Sequence, residues 1–149
     1  MKKYELDTSR KICLGNNQHL YFVYRIRALK DFADVRAGDY GGYVASEENL
    51  SQYGNCWIYH EAKVVDDAIV KDNAIVRHKA TVKGSAIIEE QAIIQGHATV
   101  SKDATVSGKA LITDDAICSG NATVSGQARL LKNAFVSNHA TISGYTTVT

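Results

Sequence analysis

Fourteen alanines fall at six-residue intervals from Ala62 to Ala140, without a single lengthened or shortened interval. All but one are followed two positions later by Val, Ile or Leu, and the exception is followed by Cys118. Side chains alternate across a strand, so the alanine and the aliphatic residue share one face. This spacing cannot keep one apolar stripe on a helix of 3.6 residues per turn. The repeat therefore predicts short strands stacked as a β-solenoid.

The fifth position of each six-residue unit, or hexad, indicates a corner. In ten of the fourteen hexads it is occupied by residues that tolerate positive φ: Gly84, Gly96, Gly108, Gly120, Gly126, Gly144, Asp66, Asp72, Asp114 and Asn138. Three hexads per coil would give a triangular prism, whereas two hexads per coil would give a flat roll. Periodicity alone leaves both open, although the glycines spaced by two hexads slightly favour the roll.

A resemblance favours the prism. The segment Val106-Ser107-Gly108-Lys109-Ala110-Leu111 resembles the repeat unit of the left-handed β-helix hexapeptide-repeat family, and the likeness spans residues 50–149. It implies an all-β, single-stranded left-handed β-helix with three hexads per coil. Upstream, Asn49-Leu50-Ser51-Gln52 and Cys56-Trp57-Ile58-Tyr59 are similar to the N-terminal cap of YdcK-like members. Those members are labelled acyltransferases and occur in bacterial and prophage-borne genes.

Residues 1–49 are predicted to form the cap, and residues 50–149 the β-helix. Alternating apolar residues predict a hairpin with a four-residue turn at 15–18, whose apolar face carries Leu20, Phe22, Tyr24 and Ile26. The segment 39–42 is predicted to be a turn, and 46–49 a short helical turn. A cap of this kind covers an end that would otherwise expose apolar core and strand edge.

Composition excludes several classes of function. The formal net charge of +1 over 149 residues gives no bulk attraction to nucleic acid or to acidic membranes. Residues 1–10 lack the apolar core of a signal peptide, and no stretch is long enough to span a membrane, so we expect a cytoplasmic protein. Cys56 and Cys118 fall at inward positions and are predicted to be buried thiols. We expect neither a disulfide nor a metal site.

Several positions that are predicted to face solvent carry isoleucine or leucine instead of a polar residue. With three hexads per coil, Ile75, Ile93 and Leu111 stack on one face, with Leu131 nearby, and Ile69 begins a neighbouring row. Contiguous exposed aliphatic residues indicate an interface, and the resemblance implies trimers that pack side by side. The alternative is that isoleucine is simply a good β-former on an exposed sheet.

The C-terminal coil is a second candidate interface. Tyr145, Thr147 and Val148 lie in its last strand, which would offer unpaired backbone groups to a partner in an end-to-end dimer. The alternative is that Tyr145 and the polar threonines protect this edge, so that no dimer forms there.

The family resemblance implies a histidine as general base at a subunit boundary, with acyl-CoA bound alongside. His60, His78, His97 and His139 are predicted on corners or outward positions, and His97 is the first candidate. No inserted loop interrupts the repeat to build a pocket. We therefore predict a non-catalytic binding or scaffold protein that forms homo-oligomers and needs no cofactor. One alternative is an acyl-CoA-dependent acyltransferase, and another is a prophage-associated accessory protein that binds and modulates a host component.

Overall fold

The computed structural model describes residues 1–149 and is almost entirely β-structure. The N-terminal part contains β1 (Tyr4–Gly15), β2 (Leu20–Ala28), β3 (Tyr40–Val44) and a 3₁₀ turn (Glu47–Asn49). The remaining strands are short: β4 (Trp57–Ile58), β5 (Lys63–Val64), β6 (Ile69–Val70), β7 (Ile75–Val76), β8 (Thr81–Val82), β9 (Ile87–Ile88), β10 (Ile93–Ile94), β11 (Thr99–Val100), β12 (Thr105–Val106), β13 (Leu111–Ile112), β14 (Ile117–Cys118), β15 (Thr123–Val124), β16 (Arg129–Leu130), β17 (Phe135–Val136), β18 (Thr141–Ile142) and β19 (Thr147–Val148).

These short strands form three parallel faces of a solenoid. Face A contains β5, β8, β11, β14 and β17, face B contains β6, β9, β12, β15 and β18, and face C contains β4, β7, β10, β13, β16 and β19. Within face A, Thr99 pairs with Thr81 on one side and Ile117 on the other, which is a step of three hexads in each direction. The structure thus confirms the all-β class and three hexads per coil, and it excludes the two-sided roll.

The axis of the solenoid is filled by the predicted inward residues. Ala86, Val100 and Ile112 have no solvent exposure, and they belong to one apolar cluster of 35 buried residues that runs from the cap to Val136. Burial of apolar area, at about 25 cal/mol per Å², is the main free-energy term that closes each coil on the next. The alanine just before each strand and the aliphatic residue at its end both point into this axis.

Backbone hydrogen bonds join each coil to the next, in the corners as well as in the strands. The N–H of Thr99 donates to the carbonyl of Ala116 at 3.0 Å, and that of Ser101 donates to Cys118 at 2.9 Å. At the corner, His97 N–H donates to the Asp114 carbonyl at 2.8 Å. Because buried peptide groups must find partners, this continuous ladder holds the coils in register.

Acidic corner side chains cap part of this ladder. Asp66, Asp72 and Asp114 have positive φ, as predicted. Each carboxylate accepts a hydrogen bond from the corner N–H one coil later, at 3.0, 3.0 and 2.8 Å respectively. The residue type at these corners therefore meets two requirements, a left-handed backbone and an acceptor directed along the axis.

The cap extends face A. Strands β1 and β2 form an antiparallel hairpin, β2 pairs antiparallel with β3, and β3 pairs parallel with β5, so that Val44 lies beside Val64. The predicted turn at 39–42 is wrong, because Tyr40, Gly41 and Gly42 lie within β3. A Cβ at either position would stand 2.5 Å from a backbone oxygen of the next coil. Close strand packing, rather than a turn, explains this glycine pair.

The predicted apolar face of the hairpin is wrong near the tip. Leu20 and Phe22 are 66% and 45% exposed, whereas Val23, on the opposite face of the strand, is fully buried. Nearer the base the prediction is correct, because Ile26 is fully buried. The buried face changes where β1 and β2 shift register, between Asp7 and Lys11. A strand irregularity of this kind switches the face that later side chains occupy, and simple alternation cannot predict it.

Asn49 fastens the cap to the solenoid. This fully buried side chain accepts hydrogen bonds from the N–H groups of Ala45 and Ser46, both at 2.9 Å. Its amide donates to the carbonyls of Asp66 and Ala68 in the next coil, at 3.0 and 2.9 Å. The predicted short helical turn is confirmed, and Ser46 is its N-cap. All hydrogen-bonding positions of the Asn49 amide are thereby used.

The cap also covers the first rung of face C. Trp57 points outward from β4 yet is buried, because Phe32 packs on it edge to face at a centroid distance of 5.2 Å. The Tyr59 hydroxyl donates to Asp34 at 2.6 Å, which holds the same loop against this face. Lys3 is buried beside it and donates to the Cys56 carbonyl at 2.8 Å, and burial lowers the pKa of this lysine.

The cysteines occupy the predicted environments. Cys56 and Cys118 are buried free thiols, whereas Cys13 is exposed. Burial raises the pKa of Cys118 to about 12, so its thiol stays protonated near neutral pH. The structure contains no helix that is both long and apolar enough to cross a membrane.

Alanine substitutions at Ile94 and Ile93 test which positions point inward, because the same residue type is removed from an inward and from an outward position. Ile94 is fully buried, whereas its neighbour Ile93 points outward and is half-buried. We expect Ile94→Ala to lower the free energy of unfolding by about 2–5 kcal/mol, because it leaves a cavity in the axis. Ile93→Ala should cost less than about 1 kcal/mol in urea unfolding of dilute protein. Equal losses would contradict the assignment.

Asn49→Ala tests the junction between cap and solenoid. It removes acceptors from two backbone N–H groups, so we expect a loss of about 2–4 kcal/mol in the free energy of unfolding. The matched control is Asn55→Ala, since Asn55 is exposed and its side chain makes no hydrogen bond within the chain. A loss no larger than that of the control would show that the junction does not depend on this amide.

Candidate functional site: a polar edge between two aliphatic rows

The outer row of face C contains the predicted aliphatic stack. Ile75, Ile93 and Leu111 occupy successive rungs and are half-buried by their neighbours. The row continues with Arg129 rather than with an aliphatic residue. Leu131 lies outside this row, beyond the end of β16. The aliphatic part of the row is therefore three rungs long.

A second, shorter aliphatic row lies on face B. Ile69 is 39% exposed, and Ile87 stacks on it in the next coil. The row then becomes polar, with threonine at the next three rungs from Thr105 to Thr141. Both rows are thus aliphatic in the coils nearest the cap.

Between these rows, the B/C edge carries an open polar groove of about 750 Å³. We define the B/C edge as the corner between faces B and C, and none of the groove residues is apolar: Gly54, Asp72, Asn73, Glu90, Gln91, Gly108, Lys109, Gly126 and Gln127. A smaller opening of about 240 Å³ extends the groove to Arg129, Tyr145 and Thr147.

Lys71 and Glu89 on this edge form an ion pair at 3.4 Å, and the charges outside that pair are divided by sign along the axis. Asp72 and Glu90 lie in the coils nearer the cap, and Lys109 and Arg129 lie in the next two coils. The carboxylate of Glu90, the ammonium of Lys109 and the guanidinium of Arg129 make no hydrogen bond or ion pair within the chain. Only the Asp72 carboxylate is used, as a cap for the Glu90 N–H. Three charges on this edge therefore remain free to bind a partner.

Two of the predicted histidines have a structural role that the sequence did not reveal. His60 and His78 occupy consecutive positive-φ corners between faces C and A, and their rings stack at a centroid distance of 5.4 Å. His60 Nδ1 accepts from the His78 N–H and His78 Nδ1 accepts from the Gly96 N–H, both at 3.2 Å. The three-hexad spacing between the two histidines was the signal for this stack. Both rings require a deprotonated Nδ1.

The stack disfavours a charged imidazole. Desolvation by its neighbours, followed by the charges of Arg77 and His60, lowers the pKa of His78. A protonated ring would also turn its Nδ1 from an acceptor into a donor facing another donor. His60 and His78 are therefore unsuitable as ligands or bases through Nδ1.

His97, the first candidate base, lies next to the Gly96 corner, one coil after His78 on the edge between faces C and A. Its side chain is exposed and forms no hydrogen bond. His139 is exposed as well. The structure does not bring the four histidines together, and no group of three His, Cys, Asp or Glu side chains is arranged to hold a metal ion. A base needs a second group to orient it, and this chain alone supplies none to His97.

Of the three residues predicted to form the C-terminal contact, two lie on the surface and one points into the solenoid. Tyr145 is 81% exposed and lines the end of the polar groove together with Thr147, whereas Val148 points inward on the last rung of face C. Tyr145 and Thr147 thus belong to the B/C edge as well as to the last coil.

His78→Asn is expected to reduce the pH dependence of stability. The pKa of His78 is lower in the folded chain than in the unfolded chain, so the unfolded chain binds more protons around pH 6.5 and below. The stability contributed by neutral His78 is complete above this range and is lost as the pH falls. Asparagine keeps an acceptor and tolerates positive φ, but does not titrate. The unfolding temperature should therefore fall less steeply from pH 7.5 to 5.5 in this variant. An unchanged slope would contradict the assignment.

No family model matches the chain. One curated relative, named "Uncharacterized acetyltransferase YdcK" from Escherichia coli (strain K12), is 33% identical over 78 residues, covering 49% of this chain and 24% of the relative. The chain thus spans about a quarter of the length of the relative that it matches. Together, the β-solenoid and this match fit a hexapeptide-repeat family.

Proposed function

We propose that this protein is a non-catalytic binding or scaffold protein, which presents the B/C edge and its flanking rows to a protein partner and assembles as a homo-oligomer. The observation that carries the proposal is the combination of free charges and aliphatic rows on one edge of an uninterrupted solenoid. Glu90, Lys109 and Arg129 form no side-chain hydrogen bond or ion pair within the chain, and all three lie on or beside this edge. Solvent-accessible aliphatic residues bordered by charged side chains are typical of a recognition surface.

The backbone ladder of the solenoid supports a scaffold. Every coil is hydrogen-bonded to its neighbours through strands and corners, so the outer side chains are held at a fixed repeat of about 4.8 Å. A rigid surface loses little conformational entropy when it binds, which favours recognition without an enclosed pocket. The free thiols of Cys13, Cys56 and Cys118 support a reducing compartment, and we place the protein in the cytoplasm.

A second candidate function is acyl transfer from acyl-CoA, and the naming of the Escherichia coli relative as an acetyltransferase favours it. His97 would act as the general base in a site completed at a subunit boundary, where a neighbouring copy would have to supply the group that orients its imidazole. This function predicts CoA binding, whereas the scaffold does not. The accessory role on a host component, with a prophage origin, stays a prediction.

Thermal unfolding with CoA and acetyl-CoA distinguishes the two functions. A ligand that binds only the folded chain stabilises it by RT ln(1 + [L]/Kd), which is about 2.7 kcal/mol at 100 times Kd. We expect no concentration-dependent rise in the unfolding temperature with up to millimolar acetyl-CoA. A rise that depends on the CoA moiety, together with acetyl transfer that is lost in His97→Ala but kept in His139→Ala, would overturn the scaffold proposal in favour of the enzyme.

A further inference from the structure

The charges on the B/C edge that form no ion pair within the chain change sign at one point along the axis. We number four consecutive coils by their edge and face C residues. Coils 1 and 2 contribute Asp72 with Ile75 and Glu90 with Ile93, and coils 3 and 4 contribute Lys109 with Leu111 and Gln127 with Arg129. The acidic half and the basic half are of equal length. When a second copy runs in the opposite direction along this edge, its basic half therefore lies against the acidic half of the first copy.

We propose that the B/C edge binds a second copy of this chain in antiparallel orientation, about a two-fold axis that passes between coils 2 and 3 perpendicular to the solenoid axis. This inference rests on the proposed scaffold function and names the partner. Coil 1 then faces coil 4 of the second copy, and coil 2 faces coil 3. In an isologous contact of this type every pair occurs twice.

The antiparallel arrangement pairs opposite charges. Glu90 faces Lys109 of the second copy, and Asp72 lies within reach of Arg129 of the second copy. On face C, Ile93 of one copy and Leu111 of the second copy lie on the same side of the contact, so these aliphatic residues flank the charge pairs of the edge. A parallel two-fold contact along the same edge would instead place Glu90 against Glu90 and Lys109 against Lys109, which costs free energy.

The shape of the edge fits this arrangement. Gly108 in coil 3 and Gly126 in coil 4 have no side chain, so they leave space where Glu90 and Asp72 of the second copy approach. The loop with Phe32 stands on face C at Trp57, one rung before Ile75, which favours contact along the edge over flat contact of the whole face.

The size of the contact predicts a weak dimer. Four coils spaced by about 4.8 Å cover about 19 Å of the edge, which is short for a protein interface. We therefore expect a dissociation constant in the micromolar range. Because the charge pairs form between exposed side chains on a narrow, open edge, their contribution should fall with rising ionic strength.

Charge reversal tests the proposal in the full chain. Glu90→Lys and Lys109→Glu each convert two attractive pairs into two repulsive ones, so each variant alone should dimerise at least about tenfold more weakly than the parent in sedimentation equilibrium. An equimolar mixture of the two variants should dimerise again. The lysine introduced in one variant then faces the glutamate introduced in the other, and the unchanged Lys109 of the first faces the unchanged Glu90 of the second. The double variant Glu90→Lys/Lys109→Glu should also dimerise.

Asp103→Lys and Lys79→Glu are the matched controls, since both residues are exposed on the other two edges and make no side-chain contact within the chain. They should leave the dissociation constant unchanged. Thermal unfolding of dilute protein checks that every variant folds.

Three results would overturn the antiparallel dimer. The first is a parent chain that is monomeric up to several hundred micromolar. The second is an oligomer whose mass is insensitive to Glu90→Lys, or is not restored in the mixture of the two variants. The third is loss of assembly in Lys79→Glu, which would indicate a parallel ring in which the B/C edge meets the edge between faces C and A. In the second and third cases the scaffold function still stands, whereas CoA-dependent stabilisation would remove that function itself.

Discussion

The hydrogen-bonded ladder between successive coils is the constraint on which the rest of this structure depends. No coil can bury its aliphatic residues alone, and each two-residue strand is too short to be stable without the strands on either side. The three-hexad step makes every outward side chain part of a row. Charges and aliphatic groups are consequently repeated at about 4.8 Å along each face, and a change of residue type along a row becomes a change of surface chemistry along the solenoid.

Corner residues connect backbone geometry with the properties of the surface. Asp72 and His78 both adopt positive φ and both accept a hydrogen bond from the next coil, yet one contributes a negative charge and the other a ring that resists protonation. Corners that carry glycine contribute neither, and at Gly108 they leave space at the edge. The same position therefore controls coil geometry, pH sensitivity and the form of the groove, so substitutions there are expected to change more than one property.

Much of the fold could be predicted from the repeat, and much less of the candidate site. The inward positions were predicted correctly, including Cys118, because side chains alternate along a strand and each alanine therefore shares its face with the residue two positions later in either kind of coil. The hairpin was predicted less well, since the register change between Asp7 and Lys11 has no sequence pattern of its own. The stack of His60 on His78 escapes sequence reasoning that treats a corner imidazole as a base rather than as a backbone acceptor.

The sequence by itself determined that the chain forms stacked short strands with alanine and aliphatic residues inside, because period and alternation are local properties of the chain. Only the tertiary structure decided that three hexads make a coil, since that number depends on which strands pair. It also brought Asp72, Glu90, Lys109 and Arg129, which are far apart along the chain, onto one edge, and it placed the cap loop over Trp57. These features arise from contacts between distant residues, and a local pattern carries no record of them.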